Sequence, residues 1–328
     1  MKLAELETLP SFALLGPGFG GDPFLLLRDL RPQSSADSLL VFARFEEPGT
    51  RALKLSPGTA SPCAVDFAEK PRGLDVALAA FDYANKVGQI REAIANGDVY
   101  QVCLTVRALV SAGSGAEILS LMCRRGVPRF AAWVRLPDGS EFVSASPELF
   151  FETDGRRVHA EPMKGTARPG AGGALEASDK DRAELAMITD LVRNDLAQVC
   201  RQKTVHVANQ RRVLQLPYAL QTVSDIVGVM DHGKVALDVL AALHPGGSVT
   251  GAPKQAALAM IRRLEPDERG AYCGALGMVT GERSVFSLLI RTAARTSQGW
   301  AYGVGSGIVF DSDPQAELDE LRVKLGAL

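Results

Sequence analysis

The sequence predicts an α+β fold built on large antiparallel sheets. Short apolar runs joined by hairpin turns recur along the chain, and isolated helical stretches interrupt them without a regular βαβ alternation. The third observation is continuity. The 328 residues, 46% of them hydrophobic, contain no Pro/Gly/Ser-rich linker or charge run that divides them. Residues 1–328 therefore read as one unit, with 1–73 a short N-terminal portion and 74–328 the motif-bearing core.

The first seventy residues carry the weakest pattern. Gly16 to Gly21 (GPGFGG) lacks the spacing and strand–helix context of a phosphate loop and reads as a plain turn, and Leu39–Phe45 reads as a strand. From Leu74 to Asn96 the apolar residues recur at spacings near three and four, which predicts an amphipathic helix stopped by Gly97-Asp98. Val99–Val110 is rich in β-branched residues and reads as a strand. Phe130–Leu136, Phe142–Ser146, Leu149–Thr153 and Val158–Glu161 follow as strands, with Pro137-Asp138-Gly139 and Asp154-Gly155 as hairpin turns. A long helix is predicted over Asp179–Cys200 with Ser178 as its N-cap. Another follows Pro253, a residue suited to the first helical turn. Tyr272–Thr280, Ser284–Arg295 and Trp300–Phe310 read as three antiparallel strands, and Pro314–Leu325 as a final helix.

Charge excludes several classes of partner. Thirty-six Lys and Arg against 38 Asp and Glu give a net charge of −2, with both signs interspersed. Nothing in that balance favours nucleic acid or an anionic membrane. Five scattered cysteines without C-x-x-C spacing argue against a disulfide framework or a structural zinc, and read as small core residues. With no signal-peptide pattern at Met1–Pro10 and no apolar run near ~18 residues, the expectation is a cytoplasmic protein.

Several residues stand out chemically, each with a plain alternative. Asp181 with Glu184, and Glu317 with Glu320, are i,i+3 pairs on predicted helices. They are either solvated faces or hard oxygen ligands, and the apolar residues around Glu184 favour a partly buried site suited to Mg²⁺. Gly246 to Lys254 (GGSVTGAPK) is either a tight loop with an N-cap or an anion-binding helix start. Gly303, Gly305 and Gly307 within a strand imply a bulge or room for a ligand. Arg291 is a surface strand arginine or an inward carboxylate clamp. Lys164, between Pro162 and Gly165, is a turn lysine or a nucleophile; the second role requires partial desolvation or nearby cations.

Taken together, the segments resemble the chorismate-utilising enzymes. The matching stretches are Ser146-Pro147-Glu148, Pro162 to Thr166 (PMKGT), Glu184 to Asp195 (ELAMITDLVRND), Gly246 to Lys254, Tyr272-Cys273-Gly274, Ile290-Arg291-Thr292 and Gly305 to Glu320 (GSGIVFDSDPQAELDE). They run in the family's order from residue 75 to the C-terminus. The resemblance implies a sandwich of antiparallel sheets flanked by helices. It implies Glu184 and Glu320 as Mg²⁺ ligands with Asp181 and Glu317 in support. It also implies Arg291, Tyr272 and the Gly307 backbone as holders of the substrate carboxylates, with Gly165, Thr166 and Ser248 lining the substrate.

Two positions point to a branch. Gln101 matches the glutamine of members that add ammonia, where water-adding members typically carry lysine. Lys164 resembles the lysine of the aminodeoxychorismate synthase branch, where anthranilate synthases typically have alanine. The resemblance implies that Lys164 is a temporary C2 nucleophile, Glu148 the acid that protonates the C4 hydroxyl, and ammonia the group that then attacks C4. The implied product leads to para-aminobenzoate and folate. No cysteine lies in a glutaminase-like context, so ammonia is expected from a separate glutamine amidotransferase subunit. The alternatives are anthranilate synthase component I and a catalytically silent chorismate-binding paralogue. One departure is Gln221, where the family often has histidine; another is the lack of a recognisable tryptophan-binding segment.

Overall fold

The computed structural model describes residues 1–20, 24–33, 38–49, 52–67, 76–78, 82–167, 170, 175, 177–216, 219–281 and 283–325. Two ten-stranded sheets dominate, and every strand pairing within them is antiparallel. The first runs Gly251–Ala252, Gln101–Val110, Gly299–Ile308, Thr292–Thr296, Glu141–Ser146, Phe130–Arg135, Phe12–Leu15, Phe24–Arg28, Thr59–Cys63, with Val76–Leu78 also on Gln101–Val110. The second runs Met163–Ala167, Leu220–Val229, Arg157–Ala160, Leu149–Asp154, Arg283–Leu288, Ala275–Thr280, Ser38–Ala43, Leu53–Ser56, Arg31–Pro32, with His206–Gln215 also on Leu220–Val229. The fold is an α+β sandwich of antiparallel sheets flanked by helices, as predicted.

Strand geometry sends successive side chains to opposite faces, and here both faces are buried. Phe142, Val134 and Leu15 of the first sheet share a cluster with Phe42, Leu276 and Met278 of the second, and Phe42 stacks on Phe142 at 4.9 Å. Their chain neighbours Val143, Trp133, Leu14 and Val41 belong to a larger cluster that also takes in helix residues. Those helices lie on the outer faces. Gly115–Cys123 covers Phe130–Arg135 and Glu141–Ser146, Asp179–Ala197 covers Leu220–Val229 and Met163–Ala167, and Tyr83–Ala95, Lys254–Leu264 and Pro314–Leu325 cover the Gln101–Val110 end of the first sheet. None of the helices among the described residues is long and apolar enough to cross a membrane.

Local chemistry sets several boundaries as expected. Ser178 caps the Asp179–Ala197 helix by accepting from the Asp181 N–H at 3.2 Å, and Gly97 (φ 82°) ends Tyr83–Ala95. Pro17–Phe19 is a short 3-10 turn, while Gly21 lies outside the described residues. Four cysteines are buried and Cys63 is half-buried, all unpaired.

Three expectations are corrected. The helix predicted over Leu74–Asn96 begins only at Tyr83, and Val76–Leu78 is a strand; residues 68–75 and 79–81 lie outside the described set. The strand predicted from Tyr272 begins at Ala275, because Cys273 takes a positive φ of 65°. Ser284–Arg295 is two strands belonging to different sheets, broken where Arg291 adopts φ 51°. The His206–Gln215 and Leu220–Val229 strands and the Gly115–Cys123 and Ala236–Leu243 helices had no counterpart in the sequence pattern.

Phe286 is fully buried and stacks on Phe151 at 4.5 Å with an interplanar angle of 12°. Phe286→Ala is expected to cost about 3–5 kcal/mol, read as a lowered urea midpoint with an unchanged m-value.

Candidate active site

The chain changes sheet twice at one place. It leaves the first sheet after Ser146 and enters the second at Leu149; it returns from Leu288 to Thr292. The two crossovers are bonded to each other. Ser146 Oγ donates to the Leu288 carbonyl (2.6 Å), the Leu288 N–H to the Glu148 carbonyl (3.3 Å), and the Ala145 N–H to the Arg291 carbonyl (3.0 Å). Glu148 and Arg291 thus both lie in the seam between the sheets, on opposite crossovers. The left-handed backbone of Arg291 is costly for a non-glycine residue and persists because both flanking strands fix it.

Glu148 is buried, and Ser248 Oγ donates to its Oε1 at 3.2 Å from the Gly247–Val249 turn. Burial pushes its carboxyl up to about 8, although the nearby Lys164 ammonium and the Ser248 hydrogen bond pull the other way. Burial thus favours the protonated form of Glu148.

Lys164 lies on the edge strand Met163–Ala167, where a bulge separates it from Thr166 in the pairing with Leu220–Val229. Gly165 forms the bulge at φ 68°. A Cβ there would meet the Asp181 carboxylate carbon at 2.9 Å, so only glycine lets the Asp179–Ala197 helix approach. Thr222 Oγ1 donates to the Lys164 carbonyl at 2.6 Å. The Lys164 amine reaches 3.7 Å from Glu184 Oε2 and lies 3.8 Å from where a Cβ on Gly307 would stand. Gln101 Nε2 is closer still to that point, and its buried Oε1 has no hydrogen-bond partner among the described residues. The strand glycines therefore make room for side chains of this chain: Gln101 at Gly307 and the Tyr272 ring at Gly303.

The structure thus brings Lys164, Glu148, Ser248, Gln101, Gly307 and Glu184 into one connected group. Glu317 is buried and accepts from Ser312 Oγ at 2.8 Å. Glu320 is more exposed and pairs with Lys324 (2.7 Å), which also donates to the Gly305 carbonyl (2.8 Å). Thr166 stands opposite Gln221 in register. Sequence reasoning missed Tyr83, whose hydroxyl bonds Ser306 Oγ at 2.6 Å beside Gly307, and it missed Thr222.

A second polar cluster was also missed. Ligand atoms of His159, Glu161 and Asp225 lie within 4.8 Å of one another, a spacing that could hold a metal ion. It is a different place from the expected Glu184 and Glu320. Each group already has donors or acceptors. His159 bonds Glu152 (2.9 Å) and Asp225 (3.0 Å), Asp225 also takes Asn209 (2.9 Å) and Arg212 (2.7 Å), and Glu161 takes Arg129 (2.8 Å) and Arg212. Arg212 holds Asp225 well below the usual carboxylate range, and the bond to Glu152 raises His159. As it stands the cluster is a charge-balanced ion network beneath the Lys164 strand.

Residues 31–328 match the protein family described as chorismate binding enzyme. This chain belongs to that family. Relatives among curated proteins include anthranilate synthase component 1 1 of Haloarcula marismortui, 34% identical over 256 residues, covering 75% of this chain and 52% of the relative. Aminodeoxychorismate synthase component 1 of Salmonella typhimurium is 37% identical over 259 residues, covering 75% and 56%. The chain thus spans about half the length of the curated relatives it matches. Among solved structures, the menaquinone-specific isochorismate synthase of Escherichia coli superposes with a TM-score of 0.80 at 17% identity, covering 98% of this chain and 89% of that one. Identity that low shows a shared fold and nothing finer.

The raised Glu148 pKa has a sign that can be measured. The folded chain keeps a proton that the unfolded chain releases above 4.5, so the group costs stability as pH climbs from 4.5 towards 8. Glu148→Gln removes that cost. Its urea midpoint relative to wild type is expected to rise between pH 5 and pH 8; a flat difference would mean Glu148 is ionised in the fold.

Proposed function

We propose that this chain aminates chorismate at C4 as aminodeoxychorismate synthase component I, with Lys164 as covalent nucleophile. The observation that carries the reading is geometric: a buried Glu148 held by Ser248 shares one site with Lys164, whose Nζ stands 3.8 Å from the Cβ position of Gly307. A neutral acid and an amine at one site supply the two halves of a displacement.

Lys164 gives up its ammonium proton to solvent, its free amine attacks C2, the ring double bonds shift, and the C4 hydroxyl leaves as water with the proton of Glu148. Ammonia then attacks C4, the double bonds shift back, and the C2–N bond to Lys164 breaks, releasing 4-amino-4-deoxychorismate. A base, the Glu148 carboxylate in this reading, takes the proton that the incoming nitrogen loses. Gln101 and Gly307 wall the lysine; Tyr272, Arg291 and the Gly307 backbone hold the substrate carboxylates, and Gly165, Thr166 and Ser248 line the ring.

Glu184 and Glu320, supported by Asp181 and Glu317, would hold Mg²⁺. The donor set fits, being carboxylate oxygens carried on two helices, with Glu317 buried. The ion supplies positive charge for a substrate carboxylate. Ammonia comes, in this reading, from a glutamine amidotransferase subunit, component II.

The second reading is anthranilate synthase component I, favoured by the name of the Haloarcula relative. It keeps the nitrogen at C2 and expels pyruvate.

Purified protein with chorismate, Mg²⁺ and ammonium, followed by mass spectrometry, is expected to give 4-amino-4-deoxychorismate. Anthranilate with pyruvate would overturn the assignment. Glu148→Gln should slow amination by roughly 10²–10⁴-fold. Lys164→Ala should abolish C4 amination, and full rate in that variant would refute the covalent role.

A further inference from the structure

The edge of the Gln101–Val110 strand has a gap. On that side Gly251–Ala252 pairs only with Gln101 and Val102, and Val76–Leu78 only with Ala108 to Val110. Between them, among the described residues, no strand completes the ladder. Cys103, Leu104 and Thr105 are nevertheless buried, and their backbone must be satisfied. Thr250 takes the Cys103 N–H through its carbonyl (2.8 Å). Two side chains fill further places. Arg269 Nη2 donates to the Cys103 carbonyl (2.7 Å), and Glu265 Oε1 accepts the Thr105 N–H (2.8 Å).

Arg269 does more than fill the gap. Its Nη1 donates to the Val249 carbonyl at 2.6 Å, next to Ser248, whose hydroxyl holds Glu148. Cys103 is the register partner of Gly307 and lies two residues from Gln101. One planar guanidinium therefore ties the loop that orients the acid to the strand that walls the lysine. Its own place is fixed. Glu265 clasps it at 2.8 and 2.6 Å, the Phe45 ring lies 4.2 Å from its centre, and Glu46 accepts from its backbone N–H at 2.5 Å. Lysine has the charge but not the fork that reaches two carbonyls and a carboxylate at once.

We propose that Arg269 is a positioning residue for the reaction, locking Ser248 and through it Glu148 in register with the Gln101–Gly307 wall that faces Lys164. This rests on the reading of Glu148 as the acid. A residue that only stabilises the fold would lose activity independently of Ser248. A positioning residue that acts through Ser248 would not.

The test is a double-mutant cycle of Arg269→Lys and Ser248→Ala, read as chorismate consumed with Mg²⁺ and ammonium. For folded variants, judged by circular dichroism and urea unfolding, Arg269→Lys is expected to lower kcat by about 10²-fold with KM for chorismate little changed. It should displace the pH–rate profile in the same direction as Ser248→Ala, and the double variant should be no slower than the slower single. Losses that multiply, or an unchanged kcat, would overturn the proposal. Should Arg269→Lys fail to fold, Glu265→Gln takes its place in the cycle, since it loosens the guanidinium while keeping it. Because consumption is read whatever the product, anthranilate formation would sink the C4 reading and leave the coupling between Arg269 and Ser248 measurable. A wild-type chain that consumes no chorismate would remove both.

Discussion

The seam at which the chain exchanges sheets is the constraint on which the rest depends. Two sandwiched sheets with apolar inner faces leave no natural place for polar chemistry between them. Crossing from one to the other forces the backbone out of its ladder at Pro147-Glu148 and again at Leu289 to Arg291. The two breaks satisfy each other through Ser146, Leu288 and Ala145. Glu148 and Arg291 are thereby held on backbone that is rigid although irregular, which is what a reacting group needs and a loop tip does not give.

Burial then does chemical work at this seam. A carboxyl with water around it would be ionised at neutral pH, but Glu148 lies inside the sandwich with one hydroxyl donor and a lysine in range, and desolvation outweighs both. The neighbouring Glu161 shows a different arrangement. It is equally buried, yet Arg129 and Arg212 both reach it, and with Asp225 and His159 it forms an ion network. Two buried carboxyls close together in the chain thus differ in what surrounds them: a hydroxyl and a lysine at some remove for one, two guanidiniums in direct contact for the other. The arginines balance the charge of Glu161 and Asp225, while at Glu148 burial outweighs the one lysine in range.

What the sequence made legible was local. Ser178 as a cap, the stop at Gly97 and the hairpin turn ending in Gly139 each depend on a few adjacent residues, and each appears in the structure. The Phe12–Leu15 strand was hard to read because both faces are buried: Leu14 and Leu15 enter different apolar clusters, and the alternation that marks a half-exposed strand disappears. The break inside Ser284–Arg295 falls at Arg291, where no glycine or proline marks the change of direction. At the site, Lys164, Glu148 and Glu184 could be named from motifs. The roles of Thr222 and Arg269 could not, since each acts through contacts with backbone far away in the chain, such as Arg269 with Cys103.

A shared frame with three reactions among its named relatives leaves the choice of reaction to a few side chains. The isochorismate synthase structure, at 17% identity, superposes over nearly the whole chain, so the two-sheet frame persists through extensive change of sequence. What differs must stand on the wall that the strand glycines open. There Gln101 and Lys164 converge on the empty Cβ position of Gly307 from two different sheets. In the reading proposed above, a single amine at that point would turn direct addition into displacement and move the new bond two carbons along the ring. The same geometry explains why a buried arginine bonded to Cys103, close to Gln101 on its strand, matters. The wall belongs to the first sheet, while the lysine is on the second and the acid at the seam between them. In the proposed reading, Arg269 would hold their separation constant, since it bonds both the strand of the wall and the loop of Ser248.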